Sequence, residues 1–194
     1  REFDRYRAKQ QPHPLFATVG LDAVPLQDPR MEAWRTNFTG VRWLDDATGW
    51  TLCGAVDDVW IGADGQVMVA DYKATAKADD PTTDTLYDGY RRQMDIYQFL
   101  LAQQGLMVSD RAWFVYANGV KTEPGFDDAL RFRTRLVPYD GDRSWVLDVF
   151  RSAVSVVKGD RAPESDPDCE WCEFVARRSR AERAQSPCHR PGEL

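Results

Sequence analysis

The chain has 194 residues and carries 25 Lys and Arg against 31 Asp and Glu, a net charge of −6. Its 43% hydrophobic and 29% charged residues fit one substantial globular domain, which excludes global disorder and any need for disulfide staples. No apolar run approaches the ~18 residues of a membrane span, and the acidic balance excludes a general nucleic-acid coat while leaving room for local basic patches.

The first residue is Arg rather than Met, so a trimmed N-terminus is expected. No charged-then-apolar leader opens the chain, and a cytoplasmic protein is expected. Residues 1–11 are charged and weakly helical in pattern. Residues 11–29 hold Pro12, Pro14, Pro25 and Pro29 and read as an irregular lead-in. A short helix is predicted after Pro29, with Met31, Trp34 and Phe38 on one face. The period then changes to two. Strands are predicted at Val41–Leu44, Thr51–Ile61 and Val67–Lys73, forming an antiparallel meander whose last turn is Gly62-Ala63-Asp64-Gly65.

A polar loop spans 76–88. A helix follows from about Tyr87 to Gln104, with Ile96, Tyr97, Phe99 and Leu100 at helical spacing and Gly105 at its stop. Strands are predicted at Arg111–Ala117 and Arg131–Val137, and a second long helix at Trp145–Lys158. The remainder, from Arg161, is rich in Pro, Asp and Arg. This order predicts an α/β (α+β) domain with a mixed sheet flanked by helices over residues 1–160, and a Cys/Arg-rich tail, 161–194, packed on it.

Alternation in Val67–Lys73 places Val67, Val69, Asp71 and Lys73 on one face and Tyr72 on the other. An apolar stripe thus ends in an acid and a base, which is unfavourable unless they are paired or hold a metal. Asp57 and Asp58 lie on the preceding strand, on opposite faces, and either could stand near Asp71. Two close carboxylates repel unless a divalent cation lies between them, and oxygen ligands suit Mg²⁺ or Mn²⁺. A lysine beside such an ion can orient water or stabilise charge on a phosphoryl group, which is equipment for phosphodiester hydrolysis. An ordinary solvated hairpin would carry the same tripeptide.

Three motifs in order go further: Gly54-Ala55-Val56-Asp57, Asp71-Tyr72-Lys73, and Gln93-Met94-Asp95-Ile96-Tyr97. Together they resemble the Gly-x-x-Asp, Asp-x-Lys and Gln-x-x-x-Tyr marks of the RecB-like branch of the PD-(D/E)XK nuclease superfamily, which includes CRISPR-associated exonucleases and AddB-type nucleases. The resemblance covers about Val41 to Ala117. It implies a restriction-endonuclease-like fold and a Mg²⁺- or Mn²⁺-dependent deoxyribonuclease. Asp57 and Asp71 would be the metal ligands, joined by the Tyr72 carbonyl, with Lys73 activating water and Gln93 and Tyr97 holding the site and strand. The Gly-x-x-Asp spacing selects Asp57, with Asp58 as the fallback. A further ligand is expected from the lead-in or first helix, where His13 and Glu32 stand.

Cys169, Cys172 and Cys188 make three-quarters of a tetrahedral Zn²⁺ site, which His189 or His13 could complete. One cysteine before the motifs and three after them echo the [4Fe–4S] arrangement of parts of the resembled branch, with Cys53 as the early member, although Cys53 lies within a strand and Cys188 is distant. A buried apolar role for Cys53 is the alternative. Candidate phosphate contacts are Tyr90, Arg91 and Arg92 on the helix, Arg131, Arg133 and Arg135 on one strand face, and Arg177, Arg178, Arg180, Arg183 and Arg190 in the tail. No base-reading motif is present. The expected partner is DNA, single-stranded or at duplex ends, with no membrane involved and no helicase, repair, CRISPR or phage partner identified. The second reading is an inactive nucleic-acid-binding module with a nuclease-like fold and a structural metal.

Overall fold

Strand alternation builds the centre of the first unit. A computed structural model describes residues 2–122, 125 and 128–185, whose contacts divide the chain into two compact units, Arg1–Ser152 and Ala153–Leu194. The first unit opens with helices α1 (Glu2–Arg7) and α2 (Pro14–Ala17), strand β1 (Ala23–Pro25) and helix α3 (Met31–Trp34). Strands β2 (Val41–Asp45), β3 (Trp50–Gly54), β4 (Asp58–Gly62) and β5 (Val67–Thr75) follow. After a 3₁₀ turn at Thr83–Thr85 come helix α4 (Asp88–Gln103), strands β6 (Arg111–Gly119) and β7 (Phe132–Asp140), and helix α5 (Val146–Lys158).

Five strands form one mixed sheet in the order β1-β4-β5-β6-β7. Only β5 and β6 run parallel. A parallel neighbour needs a long crossover, and α4 supplies it. Pro25, which lacks a donor, is accommodated on the edge strand β1. The sheet is covered on both sides, so the first five residues of β5 are all buried rather than alternating with polar ones. Val59, Val69, Phe114 and Val137 pack with Met94, Tyr97, Leu100 and Leu101 of α4. Trp60, Met68, Trp113 and Leu136 pack with Phe3 and Phe16 of the lead-in. Each such large side chain contributes about 1.5–3 kcal/mol on burial.

Several expectations change. The predicted strand Thr51–Ile61 is two strands in two sheets: β3 pairs with β2 in a separate hairpin, while β4 joins the main sheet, so the three-stranded meander does not form. At the break Val56 N donates to Trp34 O at 3.0 Å, a backbone bond no ladder could share. The positive φ of Gly40 (60°) brings its Cα against Gly54, where a Cβ would stand 2.6 Å from the carbonyl oxygen. The weakly helical start forms α1, as expected, while the lead-in of residues 11–29 holds α2 and β1. The helix after Pro29 is a single turn that buries Met31 and Trp34, and Phe38 lies beyond it, 92% exposed.

The second unit contains the last turns of α5 and helix α6 (Glu170–Gln185), an element for which the Cys/Arg-rich tail carried no prediction. Surface pairs four residues apart, Arg177 with Glu173 and Arg178 with Glu182, support α6. Among the described residues no helix is long and apolar enough to cross a membrane.

Candidate active site

Asp71 and Lys73 share a sheet face with Val67 and Val69, as alternation requires, at the point where the apolar stripe meets the end of α4. Asp71 is 3% exposed. Lys73 Nζ stands 2.5 Å from Asp71 Oδ2, which receives no aligned hydrogen bond. Asp57 reaches the same place from the break between β3 and β4. Its Oδ2 accepts the Tyr72 backbone N–H at 2.8 Å. In an extended strand the N–H and C=O of one residue point to the same edge, so the Tyr72 carbonyl lies on the edge that Asp57 occupies. Burial, and next the charge and hydrogen bond of Asp57, raise the Asp71 carboxyl to about 6, against the opposing pull of Lys73.

The helical motif meets the strand motif directly. Gln93 Oε1 accepts from Lys73 Nζ at 3.0 Å, and Gln93 Nε2 donates to the Tyr97 hydroxyl at 2.8 Å. This chain fixes the Lys73 rotamer. Lys73 Nζ also lies 4.2 Å from the Tyr90 ring centroid. Tyr97 passes beneath Gly54, where a Cβ would stand 2.7 Å from Tyr97 Cε1. The glycine of the first motif therefore makes room for the tyrosine of the third. Burial, then the charges of Asp71 and Asp57, push the Tyr97 hydroxyl up to about 12, so it is a neutral donor near neutral pH.

Asp58 is fully buried and lies on the opposite face. It is ion-paired with Arg7 and Arg35, and its Oδ2 accepts from the Tyr72 hydroxyl. Arg35 Nε donates to the Asp57 carbonyl oxygen at 3.0 Å, and Asp4 bridges both arginines. This network grips the backbone of Asp57 from behind. Sequence reading missed Arg7, Arg35 and Asp4, because nothing in local spacing marks the two arginines, 51 and 23 positions away from Asp58, or the acid that bridges them. Asp95 was also missed: it accepts from Tyr139 and Trp145 side chains, each at 2.9 Å, and from Asp142 N, tying α4 to the end of the sheet.

His13 does not join the carboxylates. It stacks on Phe3 with centroids 4.1 Å apart, on the Trp60 and Tyr72 side of the sheet, and its Nδ1 accepts from Leu15 N. Glu32 pairs with Arg35 at 3.4 Å and is otherwise exposed. Arg91 donates to the carbonyls of Thr83 and Leu86 and so braces the loop before α4, while Arg92 is exposed. Arg133 and Arg135 both bind Asp80, at 3.1 and 3.0 Å, and Arg131, exposed, directly precedes β7. Arg180 and Arg183 donate to carbonyls one turn back within α6.

Cys53 is exposed on β3, which overturns the buried apolar role, and it belongs to the first unit. Cys169 and Cys172 belong to the second, where Cys172 N donates to Cys169 Sγ at 3.4 Å and holds that thiol below its usual range. Cys188, His189 and Arg190 lie outside the described residues.

Among the described residues no group of three His, Cys, Asp or Glu side chains is arranged to hold a metal. The donors that converge are Asp57, Asp71 and the Tyr72 carbonyl, all hard oxygens. They fit Mg²⁺ or Mn²⁺, which retain several waters, rather than a closed protein cage.

A model of the PD-(D/E)XK nuclease superfamily matches residues 1–177. The mixed sheet flanked by helices agrees with the restriction-endonuclease-like architecture expected from the sequence. No curated protein and no solved structure matches the chain.

Proposed function

From membership of the PD-(D/E)XK nuclease superfamily, to which this chain belongs, we propose a RecB-like deoxyribonuclease that hydrolyses phosphodiester bonds with Mg²⁺ or Mn²⁺. The observation that carries this reading is that the Asp57 carboxylate accepts the N–H of Tyr72, the residue between Asp71 and Lys73, beside the Asp71–Lys73 ion pair. Asp57, Asp71 and the Tyr72 carbonyl would hold the cation. When bound, the ion supplies Lewis acidity and a lowered pKa for a coordinated water.

The other steps fall to the chain's own side chains. Lys73 presents a fixed positive charge where a phosphoryl oxygen or an attacking water would stand. Gln93 and Tyr97 hold that ammonium in register. The Arg35–Asp58–Arg7 network holds Asp57 from behind. Lys73 and the exposed Arg92 would meet backbone phosphates.

Purified protein is expected to degrade single-stranded or nicked DNA with Mn²⁺ and to stop on adding EDTA. Lys73→Ala and Asp71→Asn should each lower the rate by at least about a hundredfold. Activity equal to wild type in either variant would overturn the assignment.

In the C-terminal segment, Cys169 and Cys172 would supply two ligands to a Zn²⁺ or [4Fe–4S] site. An absorbance band near 400 nm after anaerobic purification would identify the cluster, and stoichiometric zinc without colour would identify Zn²⁺.

A further inference from the structure

Two tyrosines lead from Lys73 to the surface. The Tyr90 ring carries the Lys73 ammonium at 4.2 Å and meets Tyr87 edge-on, with centroids 5.5 Å apart. On its inner side Tyr90 contacts Phe114. Tyr87 is 67% exposed, an exposure that usually leaves a ring without a fixed seat. Here the ring lies against Gly89, where a Cβ would stand 2.4 Å from Tyr87 Cε1.

Gly89 occupies the first turn of α4. In a helix interior glycine is about 1 kcal/mol less favourable than alanine. Its φ is not in the left-handed region, so the backbone does not demand it. The sequence thus forgoes helix propensity at a half-buried position, and what it gains is a fixed place for an exposed aromatic ring one side chain away from Lys73. A local rule broken without a folding benefit points to function. Beside Tyr90 is a cavity of about 270 Å³ lined in part by Lys73, Lys77, Tyr90 and Tyr116 and by Asp79 and Asp80, the latter paired with Arg133 and Arg135. Lys77 adds a second ammonium along that path.

An exposed ring that touches a second ring, itself carrying an ammonium, suits a polymer of alternating phosphates and π faces. In a duplex each base face is covered by its neighbours, whereas a single strand offers its faces to aromatic side chains. We infer that Tyr87 is the stacking seat for one base of single-stranded DNA whose phosphate lies at Asp57, Asp71 and Lys73. The inference rests on the nuclease reading proposed above and adds the residue that selects the form of the substrate.

The test uses the full chain and a fluorescent oligodeoxythymidylate, with binding read by anisotropy in EDTA. In wild type, an abasic residue at one position should weaken binding about tenfold. Tyr87→Ala should weaken binding of the intact strand by the same factor and abolish the abasic effect. Tyr87→Phe and Tyr87→Trp should restore both. Gly89→Ala should mimic the loss in the Tyr87 chain and add nothing to Tyr87→Ala. In cleavage with Mn²⁺ the Tyr87→Ala defect should fall on KM rather than kcat.

An abasic effect that survives in Tyr87→Ala, wild-type binding by that variant, tighter binding of blunt duplex, or no binding by wild type would overturn the inference. Tyr87-dependent stacking in a protein that cleaves nothing with any divalent metal would leave it standing and defeat the nuclease reading. Cleavage indifferent to Tyr87 would do the reverse.

Discussion

At the scale of the residue, Asp71 is the most informative titrating group. Its carboxyl is raised from 3.8 to about 6, chiefly by burial. A raised acid contributes stability that is complete below its unfolded value and is lost as pH rises through the folded one. In metal-free protein that window runs from about pH 4 to pH 6. Above it the buried carboxylate is charged and strained against Asp57. Asp71→Asn, which is neutral throughout, is expected to be more stable than metal-free wild type at pH 7 and to match it near pH 4. Thermal melts across that range check this, and Mn²⁺ should recover stability in wild type alone.

Gly54 gives a second prediction at the same scale. Gly54→Ala drives a Cβ into the Tyr97 ring, and overpacking of this kind costs about 1–3 kcal/mol. Because Tyr97 anchors Gln93 and Gln93 anchors Lys73, cleavage should fall further than stability does. Denaturant unfolding beside single-turnover rates separates the two. A rate loss no larger than the unfolded fraction would reduce Gly54 to a packing residue.

At the scale of the element, the instructive feature is the break at 55–57. The β-formers at both ends of Thr51–Ile61 make composition read through the Gly54 and Asp57-Asp58 between them. What ends the strand is a change of partner, from β2 to β5, and partner identity is a long-range property. The break frees Asp57 from the alternation that governs its neighbours and lets it turn to Asp71, while Asp58 begins β4 and faces the opposite way. Motif spacing therefore selected Asp57, where strand periodicity left the choice open.

The supporting network behind Asp57 was illegible for the same reason: Arg7 and Arg35 come from α1 and the end of α3. Asp58→Ala should cost about 3 kcal/mol, since it leaves two buried guanidinium groups with Asp4 as their shared remaining partner. Tyr72→Phe should cost about 1–2 kcal/mol by stripping a donor from the buried carboxylate. Chemical denaturation measures both. Near-zero effects would mean that the network does not hold the break.

At the scale of the whole molecule, the legible part was what hydrophobic period and ordered motifs encode: β5, α4, β6, β7 and α5, and the meeting of Asp71, Lys73, Gln93 and Tyr97. The weakly helical pattern of residues 1–11 agrees with α1, but the lead-in after it was not legible, because α2 and β1 are too short for their periodicity to register and owe their order to packing on Trp60 and Met68. Charge clusters were the weakest guide. Arg133 and Arg135 share Asp80, and Arg177 and Arg178 pair within α6. A run of arginines counts charge but does not reveal which of them already has a partner.

Mn²⁺ binding by the full chain at pH 7.5, followed by electron paramagnetic resonance, tests the central arrangement most directly. Wild type is expected to bind the ion at a site that Asp57→Asn and Asp71→Asn each weaken at least about tenfold and that Cys169→Ser leaves intact. Undiminished Mn²⁺ binding in both aspartate variants would contradict the account, since the ion would then be held by other residues.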